Sequence, residues 1–165
     1  LIGSARYSGS RDSIRPSDCT VLSMRQWRAE VATASLTIPP TPDQVRLARL
    51  VAGAAARRCG VDEDVLDEVR LAVGEACALA VIKHQDTDLA ADIRIELTDF
   101  SDRFSVRVFD QIPSSSTSPD TDESMALALI SSLAPESAVE SAGPGTVVEM
   151  TWPIDGPALA RPELG

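Results

Sequence analysis

The sequence predicts an α+β fold: a two-layer α/β sandwich in which helices cover one face of a mixed, mostly antiparallel sheet. Residues 92–97 and 103–109 alternate strictly between apolar and polar side chains, as half-buried strands do. Residues 42–58 and 62–84 instead repeat apolar side chains at the spacing of an amphipathic helix. A layer of helices against one face of a sheet buries the apolar surface of both.

The first half of the chain contains one predicted strand and two predicted helices. Residues 27–38 alternate loosely and stop at two prolines, which predicts a strand with an abrupt end. Residues 41–60 begin with a Thr-Pro pair suited to a helix start and finish at a glycine suited to a helix end. Residues 62–84 form the second helix, which opens at one of two early aspartates and ends near a Lys-His pair.

The second half of the chain adds two hairpins and one short helix. Their predicted bounds are strand 92–97, strand 103–109, helix 124–133, strand 137–142 and strand 146–152. A four-residue turn joins the first pair of strands, and Gly143-Pro144-Gly145 joins the second pair. Between the first hairpin and the helix, residues 112–123 are rich in Ser, Pro and acidic side chains, which predicts a loop. The element order is therefore β-α-α-β-β-α-β-β.

The predicted organisation is a single folded domain, residues 24–153, with an unstructured segment at each end. Residues 1–23 are rich in Ser, Arg, Gly and Asp without a hydrophobic period, which predicts a disordered extension. Residues 154–165 are rich in Pro and Gly, which predicts a flexible tail. Met24 is an alternative start for the translated chain.

The charge of the chain argues against nucleic-acid binding. The 165 residues include 15 Lys and Arg against 25 Asp and Glu, a formal net charge of −10. Binding to a phosphate backbone depends on clustered basic charge, so we expect no direct contact with nucleic acid. An acidic surface instead favours a basic protein partner.

The cysteines and the hydropathy pattern predict a cytoplasmic protein without disulfides. The chain has three cysteines, Cys19, Cys59 and Cys77. Their odd number and the absence of C-x-x-C spacing argue against a disulfide framework and against a zinc site. Cys59 and Cys77 lie in apolar helical segments and are interpreted as small packed thiols. No apolar run approaches the roughly 20 residues that span a bilayer, so no membrane contact is predicted.

Residues 66–77, LDEVRLAVGEAC, carry a family resemblance. They resemble the N-box helix of the histidine-kinase-like ATPases (GHKL, Bergerat fold, HATPase_c), and more narrowly that of the RsbW-type anti-sigma factors that are also serine-protein kinases. Residues 106–110, VRVFD, resemble the strand that ends in the adenine-recognising Asp of that family. Residues 143–150, GPGTVVEM, resemble its late G-G-T-x-V-x-M strand. The resemblance covers roughly residues 31–152.

The resemblance implies a nucleotide site and assigns candidate residues to it. Glu75 corresponds to the general base that activates the attacking hydroxyl or water, and Leu79 stands where the family has the Asn that holds Mg²⁺. Asp110 corresponds to the adenine-recognising carboxylate, and Gly145 and Thr146 to the late strand beside it. ATP and Mg²⁺ are the cofactors that this likeness implies.

The nucleotide-binding boxes are degenerate in three places. Leu79 has no oxygen with which to ligate a hard cation, so no metal-binding residue is assigned. The family's D-x-G-x-G is here Asp110-Gln111-Ile112-Pro113-Ser114, without either glycine. The family's G-x-G-L is also missing, and Asp122 and Glu123 put negative charge where a triphosphate would bind. The sequence therefore predicts a retained fold with eroded ATP chemistry.

The spacing of side chains on the second predicted helix shows which of them share a face, independently of the resemblance. Val65, Val69, Val73, Ala76 and Ala80 share one face and form a predicted core stripe. Glu75 and Leu79 are four residues apart, so they lie on a common face beside that stripe.

The resemblance also implies protein partners, namely a sigma factor and an anti-anti-sigma (STAS) protein. In such proteins the first helix contacts the partner, which points here to Arg46 and Arg49, three residues apart and on one side of that helix. An ordinary solvated helix face explains the two arginines equally well. A homodimer through the side of the sheet that includes the first strand is also implied.

Two functions from different classes remain open, so whether the chain is an enzyme is undecided at this stage. The first is an anti-sigma-factor-like regulator in a bacterial cytoplasm, which binds its partners with weak or no ATP hydrolysis. The second is an active ATP-dependent serine/threonine protein kinase that phosphorylates an anti-anti-sigma factor. A sensor-kinase ATPase domain is disfavoured, because the chain's one histidine, His84, does not lie on a preceding phosphoacceptor helix.

The degenerate boxes predict one dynamic property. Residues 111–124 correspond to the lid that closes over ATP in the family, yet they hold two prolines, a Ser/Thr run and three acids. A segment without apolar anchors does not repay the entropy of ordering. We expect a loop that stays mobile when Mg-ATP is added.

Overall fold

The computed structural model describes residues 32–112 and 121–154. Within these ranges the strands are β1 (Ala32–Ile38), β2 (Ile93–Asp99), β3 (Arg103–Phe109), β4 (Glu136–Ala142) and β5 (Gly145–Pro153). The α-helices are α1 (Pro42–Cys59), α2 (Leu66–Asp86) and α3 (Thr121–Leu133). The predicted element order and the predicted α+β fold class are confirmed.

The five strands form one sheet in the order β1-β2-β3-β5-β4. All four pairings are antiparallel. The sequence predicted a mixed, mostly antiparallel sheet, and the described strands contain no parallel pair. The apolar side chains of β2, β3 and β5 face the helices, and the chain buries them in one core. The helical layer lies on that face of the sheet.

Most element ends differ from the sequence prediction by one to three residues, and β2 for example extends to Asp99 instead of ending at residue 97. Residues 63–65 form a 3-10 turn before α2, and α2 continues to Asp86 beyond its predicted end. Helix α3 begins at Thr121, three residues before the predicted start, and residues 121–123 had been placed in the loop. Acidic side chains in a first turn stabilise a helix N-terminus, so Asp122 and Glu123 favour the earlier start.

Several sequence predictions fall on parts of the chain outside the described residues. These are the disordered extension 1–23, the strand residues 27–31, the lid residues 113–120 and the tail beyond residue 154. They stay predictions.

Helix α1 has the predicted ends. Thr41 is its N-cap and Pro42 occupies the first turn, although the Thr41 side chain makes no capping bond to the backbone. Gly60 ends the helix in the left-handed region at φ 95°, where its N–H donates to the carbonyls of Ala56 and Arg57. Glycine adopts that conformation without a Cβ penalty, so the chain can turn immediately into α2.

The core is built from small aliphatic residues and two aromatic rings. Ala48, Ala52 and Ala56 of α1 are buried, which lets this helix approach α2 closely. Of the predicted core stripe on α2, four members are buried and Val65, in the preceding 3-10 turn, is half-buried. Trp152 on β5 is fully buried beside Phe104, with ring centroids 6.4 Å apart. Its Nε1–H donates to the Leu133 carbonyl at 3.1 Å, which ties α3 to the sheet.

The face of the sheet away from the helices carries a ladder of charges. The Glu96 carboxylate lies 3.3 Å from Arg94 Nη1 and 3.5 Å from Arg107 Nη1. Arg107 Nε lies 3.9 Å from the Glu149 carboxylate. The Arg94 and Arg107 guanidinium groups also lie over the Phe109 ring, at 4.1 and 4.8 Å from its centroid. This polar face explains why the core occupies one side of the sheet alone.

The thiols of the two cysteines in the described residues have raised pKa values. Burial raises the pKa of the Cys77 thiol to about 12, and burial with the nearby Asp99 carboxylate raises that of Cys59 to about 11. Cys77 is fully buried and Cys59 partly buried, which agrees with packed thiols. No helix in the described ranges is long and apolar enough to cross a bilayer.

Candidate functional site

Three of the predicted nucleotide-binding residues come together where β3 ends beside β5. Asp110 follows β3 and is buried, with 8% of its surface exposed. Its Oδ1 accepts the Thr146 N–H at 2.8 Å, and its Oδ2 accepts the Thr146 hydroxyl at 2.6 Å. The Ile112 N–H also donates to Oδ1 at 3.3 Å. The carboxylate is therefore satisfied by the chain's own donors.

Gly145 is required by the closeness of this contact. A Cβ at position 145 would lie 2.2 Å from the Asp110 carbonyl oxygen and 2.6 Å from Asp110 Oδ1. The Asp110 carbonyl belongs to the backbone and cannot move away at low cost. Any side chain at position 145 would therefore push the end of β3 away from β5. Gly145 contributes to the site through its small size, because the absence of a side chain lets Asp110 approach its backbone.

Lys83 joins the site from α2, and the sequence prediction missed it. Its Nζ lies 3.9 Å from Asp110 Oδ2 and 2.5 Å from the Glu123 carboxylate on α3. Lys83 follows Leu79 by four residues, so both lie on one helical face. That spacing could have identified Lys83 as a member of the site. The Lys83–Glu123 pair connects α2 and α3 across it.

The space beneath these residues is nearly filled. The cavity has a volume of about 10 Å³. Its walls include Ala76, Leu79, Lys83, Leu127, Val139 and Val148. Such a volume holds about one water molecule. This cavity by itself is therefore too small for ATP, while a separate cavity of about 660 Å³ is lined by Asp110, Gln111 and Arg94.

Glu75 and Leu79 point into different environments although they are four residues apart. Leu79 is buried and lines the small cavity. Glu75 is partly exposed, and its carboxylate lies 3.8 Å from Arg49 Nη2. Within the described ranges no group of three His, Cys, Asp or Glu side chains could hold a metal ion. Leu79 offers no oxygen beside Glu75, so the residues present do not fit the Mg²⁺ that the fold implies.

The two arginines of the predicted partner site lie in different surroundings. Arg46 is exposed on α1, and Arg49 is partly buried between α1 and α2. A Cβ on Gly74 would lie 1.9 Å from Arg49 Nε, so this glycine makes room for the guanidinium. Arg49 Nε is buried without a hydrogen-bond partner among the described residues. Arg46 is thus exposed to solvent, whereas Arg49 packs against α2, the helix that carries Glu75.

His84 is buried and belongs to the core beside the site. Its exposed fraction is 1%, and its Nε2 accepts the Gln111 N–H at 3.4 Å. A phosphoacceptor histidine must reach a second protein, which this burial does not allow. His84 instead ties α2 to the segment that follows Asp110.

A family model described as "Histidine kinase-like ATPase domain" matches residues 38–152 of the chain. The matched residues include α2, Asp110 and all of β5 except Pro153.

Curated relatives of the chain carry the name serine-protein kinase RsbW. Those of Bacillus velezensis and Bacillus subtilis are each 32% identical over 76 residues, which is 46% of this chain and 48% of the relative. That of Bacillus licheniformis is 30% identical over 73 residues. The chain thus spans about half the length of the curated relatives it matches.

A solved structure has the same fold. It contains the RsbU and RsbW domains of Rv1364c from Mycobacterium tuberculosis, and it matches with a TM-score of 0.58 and 18% identity. The match covers 73% of this chain and 31% of that chain. At this identity the similarity concerns the fold.

Proposed function

Because the chain belongs to the histidine kinase-like ATPase family, with an RsbW-type fold, we propose that it is an anti-sigma-factor-like regulator with weak or no ATP hydrolysis. Its partners are a sigma factor, an anti-anti-sigma (STAS) protein, or both, in a bacterial cytoplasm. The observation that supports the proposal is that the cavity beside the motif residues Asp110 and Thr146 has a volume of only about 10 Å³.

The loss of ATP chemistry is supported at three points of the site. The cavity of about 10 Å³ is lined by Leu79, which cannot ligate Mg²⁺. The Asp110 carboxylate already accepts three hydrogen bonds from its own chain. Lys83 pairs with Glu123 on α3, which keeps that helix against α2. A nucleotide that entered this cavity would have to displace α3 and break this ion pair.

A binding role is supported by the surface of α1. Leu47 and Leu50 are 43% and 59% exposed, and the exposed Arg46 lies on the same helix. An apolar surface next to a cation is typical of a protein interface. A homodimer through the side of the sheet that includes β1 belongs to the same proposal.

We expect the protein to transfer no phosphate from ATP to an anti-anti-sigma protein. Without a metal ligand at position 79 the charge that develops on the phosphoryl group lacks the positioning on which such catalysis depends. The measurement is incubation with labelled ATP, Mg²⁺ or Mn²⁺, and candidate STAS proteins, with calorimetry to detect binding of Mg-ATP.

Leu79→Asn should restore neither binding nor turnover by itself, since the glycine boxes are missing as well. A working RsbW-type kinase in parallel reactions controls for the substrates. Stoichiometric serine phosphorylation by the unmodified protein would refute the proposed loss of activity.

The active kinase remains the second candidate because the Asp110–Thr146 contact is intact and Glu75 is partly exposed. The curated relatives are also named as kinases. Opening of α3 would be required for this function. Protection of residues 121–133 from hydrogen exchange on addition of Mg-ATP would favour it over the first candidate.

We expect Arg46→Glu with Arg49→Glu to weaken partner binding at least tenfold, on the order of 1.4 kcal/mol. The change reverses the charge at the exposed end of α1. The measurement is calorimetric or fluorescence binding to sigma factors and STAS proteins encoded in the same genome. The matched control is Arg58→Glu with Arg103→Glu. These exposed arginines lie at the far, C-terminal end of α1 and on β3, and the control should change binding less than twofold.

Because Arg49 also packs against α2, a loss of folding must be separated from a loss of contact. Arg46→Glu alone leaves that packing intact. Gly74→Ala displaces the Arg49 guanidinium without altering the net charge. If all of these variants fold and bind as the unmodified protein does, the interface lies elsewhere.

A further inference from the structure

Strand β4 forms one edge of the described sheet, and six of its seven residues are exposed. In the order β1-β2-β3-β5-β4, β4 pairs with β5 alone among the described strands. Its first six residues are exposed and Ala142 is half-buried. An edge strand presents unpaired backbone N–H and C=O groups that can accept a further strand. This makes β4 a site for strand addition.

Apart from its two glutamates, β4 lacks the features that usually prevent such pairing. It is seven residues long, contains no proline or lysine, and runs in unbroken register from Glu136 opposite Thr151 to Ala142 opposite Gly145. Proteins commonly protect an edge with proline, lysine, a bulge or a very short strand. The other edge of the described sheet, β1, has no charged residue, so it provides no charge by which to select a partner.

The side chains of β4 define the partner. Glu136 and Glu140 lie on the face of the sheet away from the helices, four residues and roughly 13 Å apart. Val139 lies on the opposite face and is 50% exposed. Opposite charges on directly facing strand positions stabilise a pair, and like charges destabilise it. A complementary strand therefore carries cations opposite both glutamates and an apolar residue opposite Val139.

We propose that β4 is a docking edge for an extended, basic segment of another protein, which adds to the sheet as a sixth, antiparallel strand. Antiparallel pairing places the segment's residues in the order basic, apolar, any, any, basic. The first basic residue faces Glu140, the apolar residue faces Val139 and the second basic residue faces Glu136. The proposal does not depend on the proposed anti-sigma function, because it rests on the pairing of a sheet edge away from Arg46. Val139 also lines the small cavity between α2 and α3, whereas Glu136 and Glu140 do not.

A second copy of the chain is a poorer occupant. Pairing two β4 strands with Glu136 opposite Glu140 places like charges together at both ends of the contact. The formal net charge of −10 adds repulsion between copies. The acidic composition that disfavours self-pairing is the same property that attracts a basic segment.

The test uses a capped peptide of sequence TTKVTTKTT and the full-length protein. We expect saturable binding, with changes in backbone amide signals and hydrogen-exchange protection concentrated in residues 136–142. The double variant Glu136→Lys with Glu140→Lys should bind this peptide at least tenfold more weakly. It should instead bind a peptide in which both lysines are replaced by glutamates. Asp64→Lys with Glu68→Lys makes the same change in net charge on another exposed surface and should alter binding less than twofold.

Main-chain pairing has a signature that charge attraction alone lacks. Alternate N–H groups of an added strand point toward β4, so N-methylation of one alternate set should abolish binding and methylation of the other set should not. Absence of binding, equal loss in both double variants, or equal tolerance of both methylated sets would overturn the proposal. Concentration-dependent protection of residues 136–142 in the protein alone would also overturn it, in favour of a second copy.

Discussion

Replacing Trp152 with alanine is expected to lower the free energy of unfolding by about 3–5 kcal/mol, the range typical of large-to-small changes in a core. Trp152 is fully buried, packs beside Phe104, and donates its Nε1–H to the Leu133 carbonyl at 3.1 Å. The substitution leaves a large cavity between α3 and the sheet. Urea unfolding followed by far-ultraviolet circular dichroism measures the change.

The matched control is Ile82→Ala on α2, whose side chain is 54% exposed. Surface changes of this kind usually stay within about 0.5 kcal/mol. If Trp152→Ala does not fold, Trp152→Phe retains the ring but loses the hydrogen bond, and it should give a smaller, measurable loss. A loss below about 1 kcal/mol for Trp152→Ala would contradict the packing of α3 against Trp152.

Replacing Asp110 with alanine is expected to cost about 2–4 kcal/mol of stability, with no nucleotide present. The substitution removes the acceptor for the Thr146 hydroxyl and for two backbone N–H groups, and it takes one of two carboxylates away from Lys83. Each buried donor left without a partner is destabilising. Urea unfolding with and without Mg-ATP measures the effect.

Asp110→Asn is the informative second variant. Its amide oxygen can keep the two backbone N–H bonds that Oδ1 accepts, so this variant should lose about half as much stability. The comparison distinguishes a structural from a ligand-binding carboxylate. If Asp110 served mainly to bind adenine, both variants would keep the stability of the nucleotide-free protein and would lose stabilisation by Mg-ATP instead. That result would favour the kinase over the regulator.

The sequence was sufficient for the fold class and for the order of elements. Alternation in residues 92–97 and 103–109 and the apolar repeat in residues 66–80 reflect burial against one neighbouring layer, which each segment encodes locally. Element ends were harder to predict. The start of α3 at Thr121 depends on acidic first-turn residues within a stretch whose composition otherwise indicates a loop.

The candidate site was only partly predictable. The motif residues Asp110, Gly145 and Thr146 were identified from their likeness to a family, and the structure brings them into direct contact. Glu75 and Leu79 were expected on a common face, yet one is partly exposed beside Arg49 and the other lines the cavity. Periodicity gives the angle of a side chain about its own helix, and it does not give the position of the neighbouring elements.

The sequence by itself determined the sheet, the helical layer and the absence of an oxygen ligand at position 79. Tertiary structure alone decided that Lys83 lies between Asp110 and Glu123 and that Arg49 packs over Gly74. It also decided that β4 is an open edge. The physical reason is that local patterns record which side chains are buried, whereas these contacts join residues 25 to 40 positions apart, or depend on strand order, and arise only when the layers pack.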